Sequence, residues 1–149
     1  MKKPNKVITK VFDILSTVII ILLIICVLSN FQTTILGKKY NSFLGYSLFE
    51  VETGSMSGTI EIGDWIIVKV TDDVKTNDVI TFEQDGAIIT HRIVEMYGDT
   101  IVTKGDDNNS KDAKPITKEN VIGKLVKILP HFSIIKKTLL NEKVLILLF

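Results

Sequence analysis

A chain of 149 residues with a formal net charge of +1 has room for one ordinary domain plus an appendage, and its charge builds no basic field for nucleic acid. Its single cysteine, Cys26, excludes a disulfide framework and a thiolate zinc site. Mean hydropathy is nevertheless positive, and most of that excess lies near the N-terminus.

Residues 11–28 read "VFDILSTVIIILLIICVL", an apolar run approaching the ~20 residues that cross a ~30 Å hydrocarbon core as a helix. Asp13 stands near one end, within reach of headgroups. Lys2, Lys3, Lys6 and Lys10 precede the run, whereas Lys38 and Lys39 follow at some distance, so the positive-inside bias puts the N-terminus in the cytoplasm. A cleaved secretory signal would carry only ~7 to 15 apolar residues and end at a small-x-small site. Leu28, Ser29 and Asn30 match that poorly. The expected organisation is therefore a basic cytoplasmic N-terminus at 1–10, a transmembrane anchor at 11–30, an extracytoplasmic β domain at 31–129 and a tail at 130–149.

The region beyond the anchor is rich in β-branched residues set between turn signals, with strands predicted at 65–70, 79–82, 87–96, 100–103 and 121–129. Asp85-Gly86 in "QDGA" separates two of them in the manner of a two-residue type I′ hairpin, and Gly98-Asp99 marks the next reversal. These spacings predict a mainly β fold, a small antiparallel barrel or sandwich without βαβ units or internal repeats. The tail "LPHFSIIKKTLLNEKVLILLF" ends in an apolar run, 144–149, far too short to span a bilayer. Either it lies along the membrane surface with Lys136, Lys137 and Lys143 at the headgroups, or a second span has been cut short.

A hydroxyl nucleophile needs a base, and the candidates are His91, His131 and the lysines. In "IITHRIV", period-two alternation sets His91 on one face with Ile89 and Ile93 and turns Arg92 to the other. A histidine on an apolar face ordinarily serves packing. His131 follows Pro130 in a connection and has no such setting. The polar loop "TKGDDNNSKDAKP" at 103–115 collects Asp106, Asp107 and Asp112. The plain expectation is a solvated turn. Asp106, Asn108, Ser110 and Asp112 also imitate four EF-hand ligand positions, but Lys111 replaces the glycine, Thr117 replaces the bidentate glutamate and no helices flank the loop. Asn108-Asn109-Ser110 forms a glycosylation sequon.

Taken in order, these segments resemble the membrane-bound type I signal peptidases. "GSM" at 54–56, followed by Gly63-Asp64 and "WIIVK", is similar to that family's serine box, with Thr53 in place of its usual first serine and Gly58 where proline is common. "THR" at 90–92 carries histidine where the common bacterial form has lysine. "TKGDDNN" with Asp112 resembles the loop of the endoplasmic-reticulum-type, Ser-His branch. The resemblance implies Ser55 as nucleophile, His91 as general base and Asp112 as the orienting carboxylate, with Asp106 as a supporting or competing candidate. It implies an oxyanion site from the Ser55 backbone N–H and the Thr53 hydroxyl, and no metal or organic cofactor.

An imidazole is already largely neutral at physiological pH and accepts a hydroxyl proton readily, whereas Lys104, set among Asp106, Asp107 and Asp112, would keep its charge. The implied partners are signal peptides of exported preproteins and the lipid bilayer. The segment "SFLGYSLFEV" at 42–51 is expected to wall or edge a groove for an extended peptide. The rival reading is a non-catalytic membrane-anchored β module that binds exported or surface proteins, with Ser55 and His91 serving only packing.

Overall fold

The computed structural model describes residues 6–34 and 39–131, which separate into two compact units divided between Ser42 and Phe43. The first holds one helix, α1 (Lys6–Thr34). Its sequence contains no glycine or proline, and its polar residues near the start bond locally, the hydroxyls of Ser16 and Thr17 donating to the Asp13 carbonyl at 2.9 and 2.8 Å. Apolar side chains project all round it, with Phe12, Leu22 and Leu23 largely exposed. The anchor anticipated at 11–30 is thus helical, but among the described residues no helix is long and apolar enough to cross a membrane. Positions 1–5, 35–38 and 132–149 lie outside the described residues, and with them Lys2, Lys3 and nearly all of the tail.

The second unit is an antiparallel sheet of eight strands: β1 (Ser42–Phe43), β2 (Tyr46–Glu50), β3 (Trp65–Val70), β4 (Val79–Gln84), β5 (Ala87–Tyr97), β6 (Thr100–Lys104), β7 (Ile116–Thr117) and β8 (Val121–Leu129). Their spatial order is β1-β2-β3-β8-β4-β5-β6-β7. β1 and β7 stand at the two ends of that order, and the expectation of a mainly β, antiparallel fold holds. The strands at 65–70 and 121–129 fall where the β-branched runs lie. The hairpin from β4 to β5 turns at Asp85 and Gly86, both at positive φ (50° and 87°), as a type I′ turn requires.

The sheet is buried on both faces at its centre. Val79 to Phe82 on β4 are all buried. Ile80 and Phe82 join Val74, Ile93, Ile101 and Ile116 in one apolar cluster, whereas Val79 belongs to a second with Met56, Ile60, Ile66 and Val68. Alternate side chains of a strand point to opposite faces, so β4 feeds both cores. β8 holds these halves together by pairing with β3 and with β4, through a register shift in each pairing.

Gly123 stands at that junction. A Cβ there would lie 2.1 Å from the Lys69 carbonyl oxygen and 2.9 Å from Val68 Cγ1, distances that only backbone movement could relieve. Gly123→Ala is accordingly expected to destabilise the sheet by about 2 kcal/mol or more. Urea unfolding followed by Trp65 fluorescence reads this, and an unchanged midpoint would contradict the close approach.

Candidate active site

The serine segment is a closed loop between β2 and β3. Val51 N–H donates to the Asp64 carbonyl at 2.9 Å and Gly63 N–H to the Val51 carbonyl at 2.8 Å, which ties its neck. Buried Asp64 adds two bonds through its carboxylate, accepting from Glu61 N–H at 3.0 Å and from His131 N–H at 2.8 Å. Within the loop, Gly54–Met56 forms a single 3-10 turn. Met56 is buried in the second apolar cluster and pins the turn, leaving the neighbouring Ser55 half-exposed. Outside its own 3-10 turn, Ser55 N–H donates to no backbone carbonyl among the described residues.

His91 enters from β5. It pairs across the sheet with Ile80, is buried, and meets the Phe82 ring edge-on with centroids 6.2 Å apart. The alternation that set it among apolar neighbours is therefore correct, yet both of its nitrogens are engaged. Nδ1 lies 2.6 Å from Asp112 Oδ2 and Nε2 lies 3.1 Å from Ser55 Oγ. A carboxylate only accepts, so the proton sits on Nδ1 and donates to Asp112. Nε2 then offers its lone pair to the Ser55 hydroxyl, which donates.

Asp112 is held in turn by β6. Its N–H donates to the Thr103 carbonyl at 2.9 Å, and the buried Thr103 hydroxyl donates back to Asp112 Oδ2 at 2.7 Å. Lys111 forms an ion pair with Glu95 beside it. Asp106, the other carboxylate singled out, goes elsewhere. Arg92 Nε and Nη2 donate to its two oxygens at 2.8 and 2.6 Å, and the Thr59 hydroxyl donates to Oδ2 at 2.6 Å. The Arg92 hydrogen bonds hold the Asp106 carboxyl below its ordinary range against the opposing effect of burial.

This pair fastens the acidic loop to the serine loop, because Thr59 belongs to the latter. Further bonds do the same. Asp107 N–H donates to the Ser55 carbonyl at 3.0 Å, and Asp106 N–H reaches Met56 Sδ at 3.4 Å. The approach is possible only because residue 105 is glycine, since a Cβ there would sit 2.5 Å from the Ser55 carbonyl oxygen. Thr103, Arg92, Thr59 and Gly105 were not singled out as site residues from the sequence. Their signal was adjacency: Arg92 follows His91, and Thr103 and Gly105 flank Lys104 in the acidic motif.

Ser55 and His91 line an open cavity of about 820 Å³ whose walls include Phe49, Val51, Ile66, Ile88 and Ile89. Part of the 42–51 segment does form one wall. On β5, residues 87–91 pair with β4, while β6 joins only from Arg92 onward. Thr53 also lines the cavity, its hydroxyl oxygen 3.5 Å from Ser55 Oγ. Lys104 is not among the lining residues.

Residues 39–126 match the Peptidase S24-like family, and the chain belongs to it. Signal peptidase I W of Bacillus subtilis (strain 168) is 40% identical over 117 residues, 73% of this chain. The chain spans 61% of that relative's length. The resemblance to the type I signal peptidases carried by the three motifs is borne out at the family level.

Because the folded-state pKa of Asp106 is depressed, its latch stabilises the protein above the ordinary carboxylate value of 3.8 and is lost as pH falls through the depressed one. Asp106→Asn is expected to cost about 1–2 kcal/mol at pH 7, discounted for partial exposure. The gap from wild type should close in strong acid. Thermal unfolding across that range measures it, and a gap that stays constant into acid would contradict the latch.

Proposed function

We propose that the chain is a membrane-anchored serine endopeptidase that removes signal peptides from exported preproteins by Ser-His-Asp chemistry. The observation that carries this reading is the unbroken hydrogen-bond path from Asp112 Oδ2 through His91 to Ser55 Oγ, 2.6 and 3.1 Å long in its two steps, opening on an apolar cavity. Ser55 Oγ attacks the scissile carbonyl while His91 Nε2 takes its proton. Asp112 stabilises the imidazolium so formed, and the proton then passes to the leaving amine. The developing oxyanion is received by the Ser55 N–H, with the Thr53 hydroxyl as a second donor.

The substrate is an extended peptide with small residues near the cut, lying along residues 87–91 of β5 between the apolar walls. Anchoring is assigned to the whole 11–30 run, whose length approaches that of a bilayer crossing, with Lys6 and Lys10 on the cytoplasmic flank and the β domain outside. The name of the relative, a signal peptidase, supports the substrate class.

The test is cleavage of a preprotein by carbonate-washed membranes carrying the full chain, read by mass. Ser55→Ala and His91→Ala should each lower the rate by about 10³-fold or more, and Asp112→Asn by about 10²-fold or more. Normal processing by Ser55→Ala would favour the non-catalytic module, and near-normal cleavage by His91→Ala would favour a lysine base. Activity washed off the membranes would refute the anchor.

A further inference from the structure

Asn108 belongs to the sequon of the acidic loop, but its position points to another use. It is half-buried and lines the same cavity as Ser55 and His91. The backbone fixes it: Asn108 N–H donates to the Gly105 carbonyl at 3.0 Å, one residue from the bond between Asp107 N–H and the Ser55 carbonyl. Its side chain packs where a Cβ on residue 105 would otherwise stand, with Nδ2 2.7 Å and Cγ 2.9 Å from that point, and the Ser55 carbonyl oxygen meets the same point at 2.5 Å. The amide and the Ser55 carbonyl oxygen thus lie on either side of the same small space above Gly105.

Among the described residues no side-chain partner engages this amide. It offers two N–H donors and one carbonyl acceptor, on a residue that lines a cavity walled by Phe49, Val51, Ile66, Ile88 and Ile89 as well as by polar groups. An unengaged primary amide matches one chemistry especially well, the peptide group, whose N–H and C=O it can answer together. Desolvating such a group in an apolar groove without partners is costly. A peptide laid beside Ser55 removes that cost on both sides at once.

We infer that Asn108 is a substrate-positioning residue that hydrogen-bonds a main-chain peptide group of the bound polypeptide beside the scissile bond. Because it addresses the backbone, it contributes to cleavage of every sequence alike and leaves side-chain preference to the apolar walls. Attachment of a glycan at this asparagine would fill the groove. The inference rests on the proposed peptide-cleaving role of Ser55, and its test separates the two.

The experiment uses the full chain in detergent with a preprotein-derived peptide and with analogues in which single peptide N–H groups near the cut are replaced by ester oxygen. Asn108→Ala and the near-isosteric Asn108→Asp, which lacks the N–H donors, are compared with wild type. Both variants should unfold at the wild-type temperature, since the side chain has no internal hydrogen bond to lose. Asn108→Ala should lower kcat/KM by about 10-fold to 100-fold. One ester replacement should slow wild type and leave Asn108→Ala unaffected. Binding of the peptide to Ser55→Ala protein, with and without Asn108→Ala, reads the same contact without catalysis. Cleavage and binding within twofold of the unsubstituted protein, or ester penalties equal in wild type and variant, would overturn the inference. A wild type that binds peptide through Asn108 but does not cleave it would overturn only the peptidase reading.

Discussion

The site depends on one charged hydrogen bond, between the Asp112 carboxylate and His91 Nδ1 at 2.6 Å. Without an acceptor there, the imidazole could carry its proton on either nitrogen, and only one tautomer leaves Nε2 free to accept a hydrogen bond from the Ser55 hydroxyl. Thr103 strengthens the constraint by donating to the same carboxylate oxygen, and Phe82 restricts the ring from the side. Sequence distance is considerable in each case. His91 is 36 positions from Ser55 and 21 from Asp112, so the fold has to bring a loop, a strand and a second loop to one point.

It does so by rigid bodies of different kinds. β5 and β6 present His91 and Thr103 from paired strands, where backbone bonding and the apolar cluster fix position. The serine and acidic loops have no sheet to order them. They are fastened to each other by the Arg92–Asp106–Thr59 bonds, by the contact of Asp107 N–H with the Ser55 carbonyl, and by a glycine that permits the backbones to touch. The two carboxylates of the acidic loop thus have separate physical tasks. One faces the imidazole, and the other faces a guanidinium that secures the loop.

The sequence disclosed much of this, unevenly. Long β-branched runs and the Asp85-Gly86 turn marked β3, β4, β5, β6 and β8, because burial and turn geometry both act locally there. β1 and β7 have two residues each, too few for any period to register, and β2 is legible only within the 42–51 segment read as a wall or edge strand of the groove. Spacing within a loop could not choose between Asp106 and Asp112, since loop residues have no fixed direction. The choice is made by Arg92, whose side chain claims Asp106 across a strand-to-loop distance that no local pattern encodes. Joining of β8 to both β3 and β4 was likewise invisible, because it arises from pairing partners far apart in the chain. The helical character of 11–30 was legible from composition, whereas its relation to a bilayer is a property of the surroundings.

The most direct measurement of the central interaction is nitrogen-detected NMR of the His91 ring in the full chain, with the imidazole neutral. A proton held on Nδ1, with a low-field resonance that disappears in Asp112→Ala and persists in Asp106→Asn, is the predicted result. A neutral ring protonated on Nε2, or a resonance indifferent to Asp112, would contradict it.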